Sequence, residues 1–395
     1  MDPRYGYRNE EINPFDSTVS RPPTKLGMAM NAYSLTDRQT NIPRETLNQA
    51  TSPALRESTT QAELLRAVGD SAVDSLSSIY RPIQHELSEV EHLLSEELRS
   101  PHPDLKNVLR HGTQLGGKRL RPAMLLLFGK ASGRITKNHL ITATVIEMVH
   151  TATLIHDDVL DSADSRRHVP TINAKWNQHT SILVGDYLFS QAYRLAATTS
   201  STQVCEKVGE AARIVCEGEL RQVLHRDLLD LDETTYLSML QAKTGELCRV
   251  ACELAVELSG GAGQRSRAAA DFGNSLGIAF QIADDFLDIW GDPQTVGKTL
   301  GTDLLQGKIT LPVIFLLQNS DARKREKIRS ILLGPPEARV SEILPILEAS
   351  DAKKYTQSIA ELHYNNAIQA LEQFDQSEIR QCLEAIAYFS IHRKF

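Results

Sequence analysis

Leu154-Ile155-His156-Asp157-Asp158-Val159-Leu160-Asp161 sets three carboxylates into an apolar run, and its reading decides the fold. Upstream, Ile141, Val145, Met148, Val149, Ala152 and Ile155 recur at steps of three and four, the period of a helix with one buried face. The acids therefore ride on a helix, with Asp157 and Asp161 one turn apart on the same side and Asp158 turned about 100° away. Acids one turn apart repel, so positive charge is required beside them. Such a patch, taken alone, is as often solvated surface as a site. A second copy changes the balance: Gln281-Ile282-Ala283-Asp284-Asp285-Phe286-Leu287-Asp288 repeats Asp-Asp-x-x-Asp in another apolar helical run. Two acidic helix faces turned toward each other define a pocket for hard divalent cations, Mg²⁺ above all, and the natural ligand of such a cluster is a diphosphate.

With 395 residues, 41% hydrophobic and 24% charged, the chain can bury a large core and has an ordinary soluble composition. No apolar run approaches the roughly 18 to 20 residues of a membrane span, and the N-terminus lacks the apolar centre of a signal peptide. A cytoplasmic setting is expected. Residues 1–60 carry Pro3, Pro14, Pro22, Pro23, Pro43 and Pro53 among Ser, Thr and Asn without a sustained period, and are expected to form a disordered or loosely attached arm. Asp2, Glu10, Glu11 and Asp16 argue against a mitochondrial presequence. Residues 61–395 read as a single all-α domain. Cys205, Cys216, Cys248, Cys252 and Cys382 lack paired metal-ligand spacing and read as reduced thiols. A net charge of -7 excludes general nucleic-acid binding as the main activity.

Five further stretches carry cations. In Gly116-Gly117-Lys118-Arg119-Leu120-Arg121-Pro122, glycines permit a tight turn and the proline suits the first turn of the next helix, Ala123 to Ala131. Lys118 and Arg121 can converge there on one anion; a merely solubilising basic loop is the competing reading. Arg166 and Arg167 follow the first acidic helix and can reach back as forked donors to phosphate oxygens, or simply neutralise the acids. Helical patterning then spans Ile182 to Ala197, Val204 to His225, Thr235 to Leu258 and Arg267 to Trp290, with Lys243-Thr244 interrupting the apolar face of the third. Gly297-Lys298 and Gly307-Lys308 punctuate two loops; neither forms a P-loop, because Gly-x-x-x-x-Gly-Lys-Ser/Thr is absent.

From about Glu86 to the C-terminus, the order Gly-Gly-Lys-x-x-Arg-Pro, Asp-Asp-x-x-Asp with Arg-Arg, Lys-Thr, Gln-x-x-Asp-Asp-x-x-Asp and Gly-Lys resembles the trans-isoprenyl (polyprenyl) diphosphate synthase family. The resemblance implies an all-α bundle of antiparallel helices around a deep central cavity, working as a homodimer. It implies that Lys118, Arg121 and His150, assisted by Arg167, hold isopentenyl diphosphate. It further implies that Asp157, Asp161 and Asp284, supported by Asp158, Asp285 and Asp288, bind three Mg²⁺, for which Mn²⁺ can substitute. Arg166, Lys243, Thr244, Gln281, Lys298 and Lys308 would complete a pocket for an allylic diphosphate. The chemistry would fall to Asp157, Asp158, Asp161, Asp284, Asp285 and Lys243. His168 departs from the glycine that many members have after the two arginines, which bears on loop shape. Release of a long apolar product implies transient contact with a membrane.

The implied reaction is ionisation of the allylic C–O bond, attack by the isopentenyl alkene and loss of a proton, giving an all-trans product five carbons longer. A class I terpene cyclase shares the acidic cluster but does not need Lys118 and Arg121. A noncatalytic subunit is expected to have lost some of the acids, and all six are present. Product length follows from the first acidic helix, which rises about 5.4 Å per turn, close to one isoprene unit. The successive levels below Asp157 are Thr153 with Ala152, Val149 with Met148, and Val145 with Ile146, and none is aromatic. An open floor predicts a product of geranylgeranyl length or longer. Ala152→Phe should shorten it, and unchanged product lengths in vitro would sink this account of the floor.

Overall fold

The apolar runs read from the sequence are helices in the computed structural model of the chain, which describes residues 72–114, 117–166, 169–292 and 300–392. The proline-bearing stretch 1–60 lies outside the described residues. The chain opens with α1 (Ala72–Tyr80), a 3₁₀ turn (Arg81–Ile83), α2 (Gln84–Glu97), α3 (Pro103–Gln114), α4 (Leu120–Ala131) and α5 (Lys137–Leu160). A two-residue antiparallel ladder follows, β1 (Ser165–Arg166) with β2 (Val169–Pro170), the only strands among the described residues. Next come α6 (Ile172–Lys175), α7 (Gln178–Ala197), α8 (Thr202–Leu224), α9 (Glu233–Leu240), α10 (Glu246–Leu258) and α11 (Gln264–Trp290). The remainder is α12 (Thr302–Leu305), α13 (Leu311–Gln318), α14 (Ala322–Leu332), α15 (Pro336–Glu348), α16 (Ala352–Ala370) and α17 (Glu378–His392). The all-α expectation is met.

Local chemistry sets where the long helices begin. Thr136 and His139 form a reciprocal cap at the start of α5, with the Thr136 amide donating to His139 Nδ1 at 3.1 Å. Asn177 Oδ1 accepts the Thr180 amide at 2.9 Å to start α7, and Asp232 Oδ1 accepts the Thr235 amide at 2.6 Å to start α9. The one helix expected over Thr235 to Leu258 is divided. A π turn, Gln241–Gly245, separates α9 from α10 and carries Lys243 and Thr244. The polar interruption at Lys243-Thr244 marks this point in the sequence, but the period alone does not reveal a widened turn.

Glycines explain how closely that turn is held. A methyl group on Gly218 of α8 would lie 2.8 Å from the Lys243 amide nitrogen, and one on Gly277 of α11 would lie 2.6 Å from Gly245 Cα. The π turn is therefore pressed between two helices at backbone distance. Gly273, one turn before Gly277, does the same between α11 and α10, where any Cβ would drive into the carbonyl oxygen of Cys248. The short Ser259–Gly263 link makes α10 and α11 antiparallel neighbours.

Two apolar clusters form the interior. The first is built from α1 to α5, α7, α8, α10, α17 and the early part of α11, with Phe128 edge-on to both Phe272 and Phe374 at centroid distances of 5.2 and 5.1 Å. The second gathers α9 and α13 to α16 around Ile278, Ile282 and Ile289. Helix α11, about 40 Å long, belongs to both. Gly273→Ala should lower stability by about 1–3 kcal/mol in chemical denaturation, since a backbone carbonyl cannot step aside. Gly209→Ala, in a helical position whose Cβ meets nothing within 4 Å, is the contrasting case and should raise stability by up to about 1 kcal/mol.

Candidate active site

The first acidic motif ends α5. His156, just before it, lies across Gly185 of α7 and its Nε2 bonds the Ile182 carbonyl at 3.1 Å, which fixes the rotation of the helix. That rotation leaves His150, Thr153 and Asp157 half-buried on one stripe, while Val145, Ile146, Met148, Val149 and Ala152 are fully buried. Thr153 therefore shares the stripe of Asp157, and Ala152 packs into the core beside it.

Asp157 faces the Lys243 ammonium at 4.0 Å, and Lys243 also pairs with Glu219 and donates to Gln222 Oε1 at 2.9 Å. Burial pushes the Asp157 carboxyl up to about 7, Lys243 opposes that rise, and Glu219 and Asp161 add to it. Burial pulls Lys243 down, but Asp157 and Glu219 outweigh it and hold the ammonium above its ordinary value. Asp158 is buried and accepts Arg166 Nε at 3.0 Å and Nη2 at 2.8 Å, so the β1–β2 ladder is tied back to the helix. Asp161 receives Lys308 Nζ at 3.1 Å on both oxygens and Arg226 Nη2 at 3.0 Å.

In the second motif, on α11, Asp284 is half-buried, whereas Asp285 is buried with both oxygens engaged. Tyr236 donates to Oδ2 at 2.6 Å and Gln281 Nε2 to Oδ1 at 3.0 Å. Burial and then Asp303 push Asp285 up to about 8, partly offset by those two donors. Asp288 accepts the amides of Thr302 at 3.2 Å and Asp303 at 3.1 Å, capping the one-turn α12. Thr244 Oγ1 donates to Gln281 Oε1 at 3.0 Å. The π turn thus reaches both motifs, with Lys243 toward Asp157 and Thr244 toward Gln281. The segment 301–308 does likewise, with its start on Asp288 and Lys308 on Asp161.

The glycine-linked basic loop divides its cations. Arg119, with a left-handed φ of 50°, bonds Glu91 Oε2 at 3.1 Å and Glu147 Oε1 at 2.6 Å, a buried anchor for the loop. Lys118 is exposed, its ammonium 4.7 Å above the Phe389 ring, and its carbonyl accepts Tyr80 Oη at 2.9 Å. Arg121 Nε is buried without a hydrogen-bond partner, the state of a donor awaiting an acceptor. Arg167 and Lys298, and the departure at His168, lie outside the described residues.

The sequence profile of the polyprenyl synthetase family matches residues 102–348. The chain belongs to the polyprenyl synthetase family. Within this prenyltransferase family it is 32% identical to an octaprenyl diphosphate synthase of Haemophilus influenzae, covering 81% of this chain and 98% of that one. It is 35% identical to an all-trans-nonaprenyl-diphosphate synthase (geranyl-diphosphate specific) of Rhodobacter capsulatus, over 82% and 99% of the two chains. The fold superposes on a crystal structure of a polyprenyl synthase from Caulobacter crescentus complexed with calcium and isoprenyl diphosphate, with a TM-score of 0.76, 32% identity and coverage of 81% and 98%.

Several residues of this family member's site escaped the sequence reading. Arg226, Glu219, Gln222 and Tyr236 belong to none of the motifs, and the contact of Arg226 with Asp161 spans 65 positions. The only available signal was the polar interruption of α8 at Glu219 and Gln222. Among the described residues, no group of three or more His, Cys, Asp or Glu side chains is gathered closely enough to hold a metal ion; the acids described here engage cations, hydroxyls and amides instead. Lys243→Met leaves Asp157 and Glu219 without their shared cation and should destabilise the protein by about 3 kcal/mol. Adding Asp157→Asn should recover much of that loss in urea unfolding; no recovery would show that charge is not the cause.

Proposed function

We propose that this chain is a polyprenyl diphosphate synthase, catalysing Mg²⁺-dependent head-to-tail (1'-4) condensation of isopentenyl diphosphate with an allylic diphosphate. The proposed product is all-trans and of geranylgeranyl length or longer. The observation that carries the reading is the π turn, which places Lys243 on the first acidic motif and Thr244 on the second. The relatives named above, synthases of octaprenyl and nonaprenyl diphosphate, support the long product.

The carboxylates supply the hard oxygen donors that divalent cations favour, and among the described residues they are not gathered into a metal-holding group. Asp157 keeps a carboxyl raised to about 7 even with Lys243 nearby, which marks a place short of positive charge, and hard oxygen ligands suit Mg²⁺. Asp157, Asp161 and Asp284 would hold the ions, three by family resemblance, with Mn²⁺ able to substitute, and Asp158, Asp285 and Asp288 are the supporting acids. Bound Mg²⁺ would supply charge neutralisation for the departing diphosphate. Around it, Lys243, Thr244, Gln281, Arg166 and Lys308, with Lys298, receive the allylic diphosphate. Lys118, Arg121 and His150, with Arg167, hold isopentenyl diphosphate, and the unpartnered Arg121 Nε is a ready donor to it. The allylic C–O bond breaks as negative charge passes to the diphosphate, the isopentenyl alkene attacks the allylic cation, and a proton passes to the released diphosphate to restore the double bond. Apolar surroundings exclude the water that would quench the cation. The floor below Asp157, with Ala152, Thr153, Val149 and Met148, is free of aromatic side chains.

We assign residues 61–395 to one catalytic domain following the arm 1–60, in a cytoplasmic setting. Among the described residues no helix is long and apolar enough to cross a membrane, and contact with a membrane would serve product release only. Ile182, Leu183 and Tyr193 on α7 and Leu220 and Leu224 on α8 are large, exposed and apolar, which supports pairing of two copies through these helices. Incubation of the protein with Mg²⁺, farnesyl diphosphate and labelled isopentenyl diphosphate should yield longer diphosphates. A cyclised hydrocarbon would instead indicate a cyclase, and no product would indicate a noncatalytic subunit.

A further inference from the structure

The face of α11 that meets the π turn is a single stripe. Gly277, Gln281 and Asp285 follow one another at four-residue steps, and each touches a different point of the segment running from α9 into α10. Gly277 lies against Gly245 at backbone distance. Gln281 accepts the Thr244 hydroxyl at 3.0 Å. Asp285 accepts the Tyr236 hydroxyl at 2.6 Å, and Gln281 closes the row by donating to Asp285 at 3.0 Å. Tyr236, on α9 ahead of the π turn, and Thr244, within it, are eight residues apart, and both are buried. Their hydroxyls peg the helix leading into the turn, and the turn itself, to one turn of the acidic helix.

A π turn needs such restraint. Its extra residue can migrate along a helix, and each step of migration would rotate the side chains it passes by about 100°. Lys243 lies between the pegs, and a shift of that size would carry its ammonium away from Asp157.

We propose that Tyr236 is a positioning residue which, through Asp285 and Gln281, locks the register of the π turn and so aims Lys243 at the allylic diphosphate. This rests on the functional reading above. Asp285 then acts chiefly as the acceptor of the lock, with both oxygens already given to Tyr236 and Gln281.

Tyr236→Phe removes one hydroxyl and keeps the ring. The expected result is a loss of about 10- to 100-fold in kcat/KM for the allylic diphosphate, with KM for isopentenyl diphosphate unchanged, since Lys118 and Arg121 lie on other elements. Thr244→Val should show the same selective loss from within the turn. The double variant Tyr236→Phe/Thr244→Val should be no worse than the poorer single one. Amide hydrogen exchange gives a readout independent of turnover: Tyr236→Phe should speed exchange at residues 241–246 and leave residues 150–158 of α5 unchanged. Equal losses for both substrates, multiplicative losses in the double variant, or unchanged exchange at residues 241–246 would overturn the lock. A wild type that elongates nothing overturns the synthase reading alone, and the exchange measurement still decides whether the lock exists.

Discussion

Carboxylates drawn together out of water must be matched by positive charge, and the surroundings of the two acidic motifs are arranged to supply it. Each cation comes from a different part of the chain: Arg166 from β1, Arg226 from the turn after α8, Lys243 from the π turn and Lys308 from the loop before α13. The match is incomplete at Asp157, where burial still wins over Lys243. Under the proposed function, these cations would face the oxygens of a diphosphate and the acids its divalent cations.

Helix packing decides where those charges stand. Gly218 and Gly277 admit the π turn to backbone distance of α8 and α11, and Gly185 admits the His156 ring that orients α5. Small residues here act as tolerances in an assembly: with any side chain in their place, Lys243 and Asp157 would be held apart. The basic loop shows the same division between holding and binding, since Arg119 is consumed by Glu91 and Glu147 while Arg121 keeps a donor in reserve.

The two acidic motifs were legible because each combines a polar triplet with the 3.6-residue period, and their duplication argued against a solvated surface. The helical fold was legible for the same reason, with boundaries close to those observed: Ile182 to Ala197 against Gln178–Ala197, and Arg267 to Trp290 against Gln264–Trp290. The π turn was not, because a polar pair such as Lys243-Thr244 on an apolar face can sit in an ordinary helical turn as readily as in a widened one. Arg226 and Tyr236 were hidden for another reason. An arginine in a turn and a tyrosine on a helix are commonplace until the fold sets them against Asp161 and Asp285. Nor could spacing show that Arg119, between Lys118 and Arg121, turns inward; its left-handed backbone does that.

Helix α11 contributes Phe272 and Leu276 to one apolar cluster and Ile278, Ile282 and Ile289 to the other. A rod shared by two interiors couples them, because neither can lose its packing without freeing a helix that the other needs. The acidic motif near its end therefore inherits the stability of the whole bundle and not of its own neighbourhood. Sites that must stay rigid while their loops admit a substrate are well served by such cooperativity.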